Sequence, residues 1–197
     1  MIIGLTGNMG VGKDTVADFL VTEYGYKKVG FSDVMYDAVC ALWGITLEEA
    51  LQYKETGSVH IRVEWNGAIP SNVLSHSWTW RTFLQRFGTE MGREVFGPDF
   101  WVEQFAERYL YDGNNTDYVV RDVRFNNEAE LITDYAGDIW HIVRPGYEGD
   151  EHVSEAGINP SYIRGDIGND GTVEELHALL TDWMLAAYGP RHSVSGS

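Results

Sequence analysis

Three glycines and a lysine near the start of the chain carry its clearest chemical signal. Gly7, Gly10 and Gly12 run into Lys13, and the spacing Gly7-x-x-x-x-Gly12-Lys13 is that of a phosphate-binding loop. Successive backbone N–H groups in such a loop, with the N-terminus of the helix behind it, face an anion, and the lysine reaches the β and γ oxygens of a nucleoside triphosphate. Asn8, Met9 and Val11 fill the remaining positions. The usual pattern puts a hydroxyl directly after the lysine. Here Asp14 intervenes and the hydroxyl is Thr15, still in the first helical turn, where it meets magnesium or a phosphate, while Asp14 is within reach of the metal through water. ATP or GTP binding is the expectation.

A second acidic candidate closes a later apolar run. In DYVVRDVR, Asp117 to Arg124, the core is Tyr118, Val119 and Val120, and Asp122 falls at the strand's end between Arg121 and Arg124. In a fold built on a phosphate loop, the strand beside the loop's own strand carries the acidic residue that completes the magnesium site, which makes Asp122 the candidate. Asp33, after the apolar run Val29-Gly30-Phe31, stands where an α/β sheet presents ligand contacts; it is equally the N-cap of a helix through Val34 to Trp43. The run Arg81 to Phe96, RTFLQRFGTEMGREVF, is expected to be one helix with three stripes. Phe83, Leu84, Phe87, Met91 and Val95 make its core stripe, and Arg86, Glu90 and Arg93 a charged one. Arg81, Gln85, Gly88 and Gly92 make the third, where two glycines in a helix point to a close approach by a substrate or by another helix.

These residues need a frame. Ile2, Ile3 and Leu5 form the strand before the loop, and Val16, Phe19 and Leu20 the buried face of a helix ending near Tyr24-Gly25. Thr46 with Glu49 is a capping box, as is Thr172 with Glu175 before a last helix packed through Leu176, Leu179, Leu180, Trp183 and Met184. Ile139 to Val143 is a strand leading to Arg144, and Ser161 to Ile167 the final one. The expected organisation is a single domain over 1–190, with an irregular excursion or small hairpin over 54–79, a lid loop over 145–160 and a flexible tail over 191–197. His152, inside that loop, has no second histidine or cysteine at ligand spacing.

At 197 residues and 44% apolar, the chain has enough material for one sizeable core. A net charge of −16 argues against a nucleic-acid polymer as partner, since backbone binding needs a basic surface. Small anions remain, and arginines outnumber lysines ten to four, a bias that suits phosphate oxygens. Cys40 alone makes no disulfide framework, and neither a secretory segment nor a membrane-spanning run is read, so a cytoplasmic setting is expected.

GKDTVADFL, LQRFGTEMGREVFGPDFWV, VVRDVRFNNEAELI, the loop RPG followed by EHVSE, and NDGTVEEL occur in an order that resembles the deoxynucleoside monophosphate kinases of bacteriophages, a branch of the P-loop nucleotide kinases. The resemblance touches most of the chain outside 54–79 and the tail. It implies a three-layer α/β fold with a parallel five-stranded sheet in the order 2-3-1-4-5, and transfer of the γ-phosphoryl of ATP to a deoxynucleoside monophosphate with magnesium. Carried over by position, Gly7 to Thr15 hold the ATP phosphates and Asn169, Gly171 and Thr172 lie where adenine sits. Arg81, Gln85, Glu90 and Arg124, with Asp33, are candidates for the acceptor, and Lys13, Arg124 and Arg144 are the catalytic cations. The cytoplasm is then that of the host if the chain is phage-encoded, and a homodimer is among the assemblies left open. Two rivals stand beside this. The opening GLTGNMGVGKDTVADF also resembles dephospho-coenzyme A kinase, whose hydroxyl acceptor needs a base, for which Asp33 is placed; a non-catalytic nucleotide-binding regulator is the third.

Overall fold

In the computed structural model, which describes residues 1–56, 60–61, 78–111, 115–147 and 157–190, Ile2–Thr6 form strand β1, buried at all five positions. Helix α1 (Lys13–Tyr24) buries Val16, Ala17, Phe19 and Leu20 and stops at Gly25, whose φ of 72° is the left-handed conformation a helix C-terminus favours. Strand β2 is Lys27–Val29, and α2 runs from Phe31 to Trp43. This corrects the strand expected at Val29-Gly30-Phe31 and the N-cap expected at Asp33. The helix starts earlier because the carboxylate of Asp122 accepts the Phe31 N–H at 2.8 Å, so the cap is supplied from elsewhere in the chain and Asp33 lies inside the first turn.

Helix α3 (Leu47–Thr56) opens with the expected box: Thr46 N–H donates to Glu49 Oε2 at 2.8 Å and Glu49 N–H to Thr46 Oγ1 at 3.2 Å. Strands β3 (His60–Ile61) and β4 (Trp78–Thr79) pair antiparallel inside the stretch expected to hold a small hairpin; 57–59 and 62–77 lie outside the described residues. Helix α4 (Trp80–Arg86) is capped by Thr79, whose hydroxyl accepts the Thr82 N–H at 3.2 Å.

Beyond Arg86 the chain departs from expectation. Phe87–Val95 form a π-helix, not a continuation of the α-helix. A π-turn takes up more residues than the 3.6 of an α-turn, which rotates Gly92 inward and leaves Met91 49% and Val95 70% exposed, so these two drop out of the core stripe. Helix α5 (Phe100–Tyr109) supplies what fills the space. The Trp101 indole N–H donates to the Gly88 carbonyl at 2.7 Å, and a Cβ at Gly92 would stand 2.1 Å from that nitrogen. At Gly88 a Cβ would come 3.0 Å from the Met35 sulfur of α2. The close approach signalled by the two glycines is therefore made by α5 and α2.

Strand β5 (Tyr118–Val120), helix α6 (Asn126–Asp134), strands β6 (Asp138–Val143) and β7 (Ile163–Gly168), and helix α7 (Val173–Tyr188) complete the chain. β1 lies between β5 and β6, with Ile3 opposite Val119 on one side and Asp138 on the other; β2 flanks β5 and β7 flanks β6, all parallel. Counting only strands of this sheet, the order is the expected 2-3-1-4-5. Parallel neighbours require crossovers over the faces. α1 and α7 cover one face through Val16, Leu20, Leu176, Leu180 and Met184 against Leu5, Trp140 and Ile142. α6 covers the other, where Ile132 and Val123 pack so close to Gly4 that an added Cβ would lie 2.8 Å and 2.9 Å from them. Leu179, expected in the inner face of α7, is 40% exposed. Arg164 and the Tyr188 hydroxyl both donate to Asp138, tying the last turn of α7 to β6 and β7; burial, then that hydrogen bond, pushes the Tyr188 phenol up beyond its ordinary range.

By compactness the chain divides into two units. The first, Met1–Phe31 with Ala106–Ser197, holds the sheet; the second, Ser32–Phe105, is organised around Tyr36, Val39, Ala50, Trp80, Phe83, Leu84, Phe87 and Trp101. The lid segment around His152 (148–156) and the tail (191–197) lie outside the described residues.

Candidate active site

The glycine loop leaves the carboxyl end of β1 and delivers α1 without a side-chain cap, so the first N–H groups of that helix are presented to an incoming anion. Gly7 and Gly12 take φ of 134° and 102°, which side-chain-bearing residues rarely adopt. Space forbids a side chain too: a Cβ at Gly7 would stand 2.4 Å from the Ile142 carbonyl, and one at Gly12 2.3 Å from the Asn169 amide. Lys13 lies back over the loop, its ammonium donating to the carbonyls of Gly7 at 2.6 Å and Asn8 at 2.8 Å. Thr15 is half-buried in the first turn of α1, and Met9 is exposed at the loop's tip. Asp14 is exposed, with its carboxylate 3.8 Å from Lys28.

The ends of β6 and β7 close on this loop. The Asn8 amide donates to the Tyr147 carbonyl at 2.9 Å, the Tyr147 ring sits over Gly10, and the Arg144 guanidinium lies 5.0 Å from the centre of that ring. From the other strand, the buried Asn169 amide donates to the Val11 carbonyl at 2.7 Å, so Asn169 holds the loop itself. Gly168 to Gly171, with Glu175, Leu176 and Leu179, line a hollow of about 450 Å³. Thr172 caps α7, its hydroxyl accepting the Glu175 N–H at 3.2 Å.

Past β5, Asp122 and the N-terminus of α2 meet as described, and the same carboxylate is so close to Gly30 that a Cβ there would lie 2.8 Å from its oxygen. Arg124 is exposed, and its backbone is fixed by a residue the sequence reading missed. Glu128, 2% exposed, accepts the N–H groups of Arg124 at 2.8 Å and Phe125 at 3.1 Å. Half a signal was available: a glutamate three residues past a helix start is half of a capping box. Phe125, which carries no side-chain acceptor, hid the other half.

In the second unit, Arg81 and Gln85 are exposed on α4, Asp33 stands in the first turn of α2, and Glu90 pairs with Arg86 at 3.4 Å. The structure therefore gathers Gly7 to Lys13, Asn169, Arg144 and Tyr147 in one unit together with Asp122 and Arg124, and carries Asp33, Arg81, Gln85 and Glu90 on the other. Among the described residues no group of three or more His, Cys, Asp or Glu is gathered as for a metal ion, and no helix is long and apolar enough to cross a membrane.

Known proteins agree with this architecture. The deoxynucleotide monophosphate kinase of Enterobacteria phage T4 is 27% identical in an alignment covering 93% of this chain and 98% of that protein. The deoxynucleotide monophosphate kinase of Escherichia phage RB69 is 37% identical over 114 residues, 55% of this chain and 46% of its own. The crystal structure of TT1252 from Thermus thermophilus superposes with a TM-score of 0.52 at 16% identity, covering 96% of this chain and 98% of that one, a likeness of fold alone. A family model for deoxynucleotide monophosphate kinase matches residues 26–180. That span favours a phosphate acceptor over the hydroxyl acceptor and the silent regulator, and on it the chain belongs to the deoxynucleotide monophosphate kinase family.

Proposed function

We propose that the protein transfers the γ-phosphoryl group of ATP to a deoxynucleoside monophosphate, giving ADP and the deoxynucleoside diphosphate, with the roles assigned below. The observation that carries this is the glycine loop with the Lys13 ammonium folded over it, a cradle at the head of α1 whose glycines admit no side chain. ATP phosphates take the N–H groups of Gly7 to Thr15, and Lys13 exchanges its loop carbonyls for phosphate oxygens. The hollow beside Asn169 and Gly171 receives adenine.

The acceptor needs no protein base. A phosphate monoester has its second pKa near 6 and is largely a dianion at pH 7. Catalysis then consists of alignment and of charge placed where the transferring group develops it. Lys13, Arg124 and Arg144 supply that charge. Arg81 takes the acceptor's phosphate and Gln85 lies nearer its base, with Asp33 and Glu90 as further acceptor contacts.

Thr15 and Asp122 are the residues that would hold magnesium, with Asp14 acting through water. Their scarcity fits this ion, which keeps several waters and takes one or two protein carboxylates beside substrate phosphates. Once bound, it neutralises the β and γ oxygens. The setting proposed is the cytoplasm, with small-molecule nucleotides as the only substrates.

A coupled ADP-release assay with dAMP, dGMP, dCMP, dTMP and dephospho-coenzyme A tests the reading. Turnover of at least one monophosphate and not of the coenzyme A precursor is expected; ATP binding with no turnover of any of them would return the protein to the regulators.

A further inference from the structure

We propose that the Thr89 hydroxyl is a further acceptor-reading group, brought into line with Arg81 and Gln85 by the π-turn that Trp101 holds; this rests on the acceptor assignment of those two residues. In an α-helix the step from i to i+4 overshoots a full turn by about 40°. A π-turn accommodates more than four residues, so the same step falls short. From Arg81 to Gln85 the stripe drifts one way along α4, and from Gln85 to Thr89, across the junction at Phe87, it drifts back. The burial pattern agrees. Trp80, Phe83, Leu84, Phe87 and Gly92 are buried, whereas Arg81, Gln85 and Thr89 are all exposed.

In an unbroken α-helix this stripe would continue through Gly88 and Gly92, which offer a ligand no side chain. The π-turn sets half-buried Gly88 beside Met35 and turns Gly92 inward against Trp101, and puts a hydroxyl in their place. Thr89 brings one donor and two acceptor lone pairs and no charge. Beside the Gln85 amide, that inventory suits the hydrogen-bonding edge of a nucleobase and not a phosphate. Glu90, the next polar side chain, is engaged by Arg86. Trp101 is a positioning residue here: its N–H on the Gly88 carbonyl and its ring against Gly92 hold the π register.

The test compares KM for the four deoxynucleoside monophosphates and for ATP in Thr89→Val, Thr89→Ser, Trp101→Phe and Arg81→Ala. Losing one hydrogen bond to an uncharged edge is expected to raise KM for the preferred monophosphate about 2- to 10-fold in Thr89→Val. That rise should change the ranking of the four bases, leave KM for ATP unmoved and be restored by serine. Trp101→Phe keeps an aromatic side chain but removes the indole donor and part of the ring that faces Gly92; faster hydrogen exchange over residues 88–95 should accompany a raised monophosphate KM at unchanged ATP KM. If Arg81→Ala weakens the monophosphate and Thr89→Val does not, the proposal falls and the acceptor assignment stands. If neither variant moves it, both fall. A Thr89→Val defect shared equally by ATP and all four monophosphates, unrescued by serine, likewise overturns the proposal.

Discussion

Lys13 donates to the carbonyls of Gly7 and Asn8, so its charge is held at the glycine loop. Lys13→Ala is expected to lower kcat/KM about 10³-fold or more, the scale of a charge stabiliser acting on the transferring phosphoryl, with the far-ultraviolet circular dichroism unchanged because no core contact is lost. A loss under tenfold would remove Lys13 from that role. Thr15→Val and Asp122→Asn should each raise the magnesium concentration needed for half-maximal rate; flat titrations in both would direct attention to Asp14. The placement of Lys13 and Thr15 in the first turn of α1, and of Asp122 just past β5, was legible in the sequence because the glycine spacing and a short apolar run dictate where strand gives way to loop. Asn169 was legible only by resemblance, and its amide is found on the Val11 carbonyl, a contact between residues 158 apart in the chain that no local pattern encodes.

At the scale of elements, α6 shows how a buried carboxylate stands in for a conventional cap. Glu128 accepts two N–H groups of the turn after β5, those of Arg124 and Phe125. Glu128→Ala is expected to cost about 1–3 kcal/mol for the orphaned donors, read as a fall in Tm of about 2–4 °C per kcal/mol. Because the same contact fixes the backbone of Arg124, the activity losses of Glu128→Ala and Arg124→Ala should be non-additive; independent losses would show that the turn holds its shape without the carboxylate. The strands and most helices were readable because short apolar runs closed by glycine, proline or a capping box leave few alternatives. The π-turn was not: a 3.6-residue template assigned Met91 and Val95 to the core, and what overrides it is the Trp101 indole, supplied by a different helix. The early start of α2 escaped for the same reason, its cap being Asp122.

Over the whole molecule, a net charge of −16 makes self-repulsion a term in stability, only locally offset by pairs such as Lys28 with Asp18 at 2.6 Å and Arg164 with Asp138 at 2.9 Å. Sodium chloride raised from about 10 mM to about 150 mM shortens the screening length from about 30 Å to about 8 Å, and Tm in a thermal melt should rise; a fall would mean that the ion pairs outweigh the repulsion. The partition of the chain carries a different kind of consequence. Ser32–Phe105 is one uninterrupted segment set into the sheet-bearing remainder, so a single exchange of coding sequence would transplant Asp33, Arg81, Gln85 and Thr89 together while leaving the glycine loop, Asp122 and Arg124 in place. Both seams of such a graft fall within helices, Phe31 to Ser32 in α2 and Phe105 to Ala106 in α5. A donor module must therefore arrive in helical phase at each seam, because a one-residue slip in a helix is a rotation of about 100°, which favours wholesale replacement of the segment over gradual changes of its length.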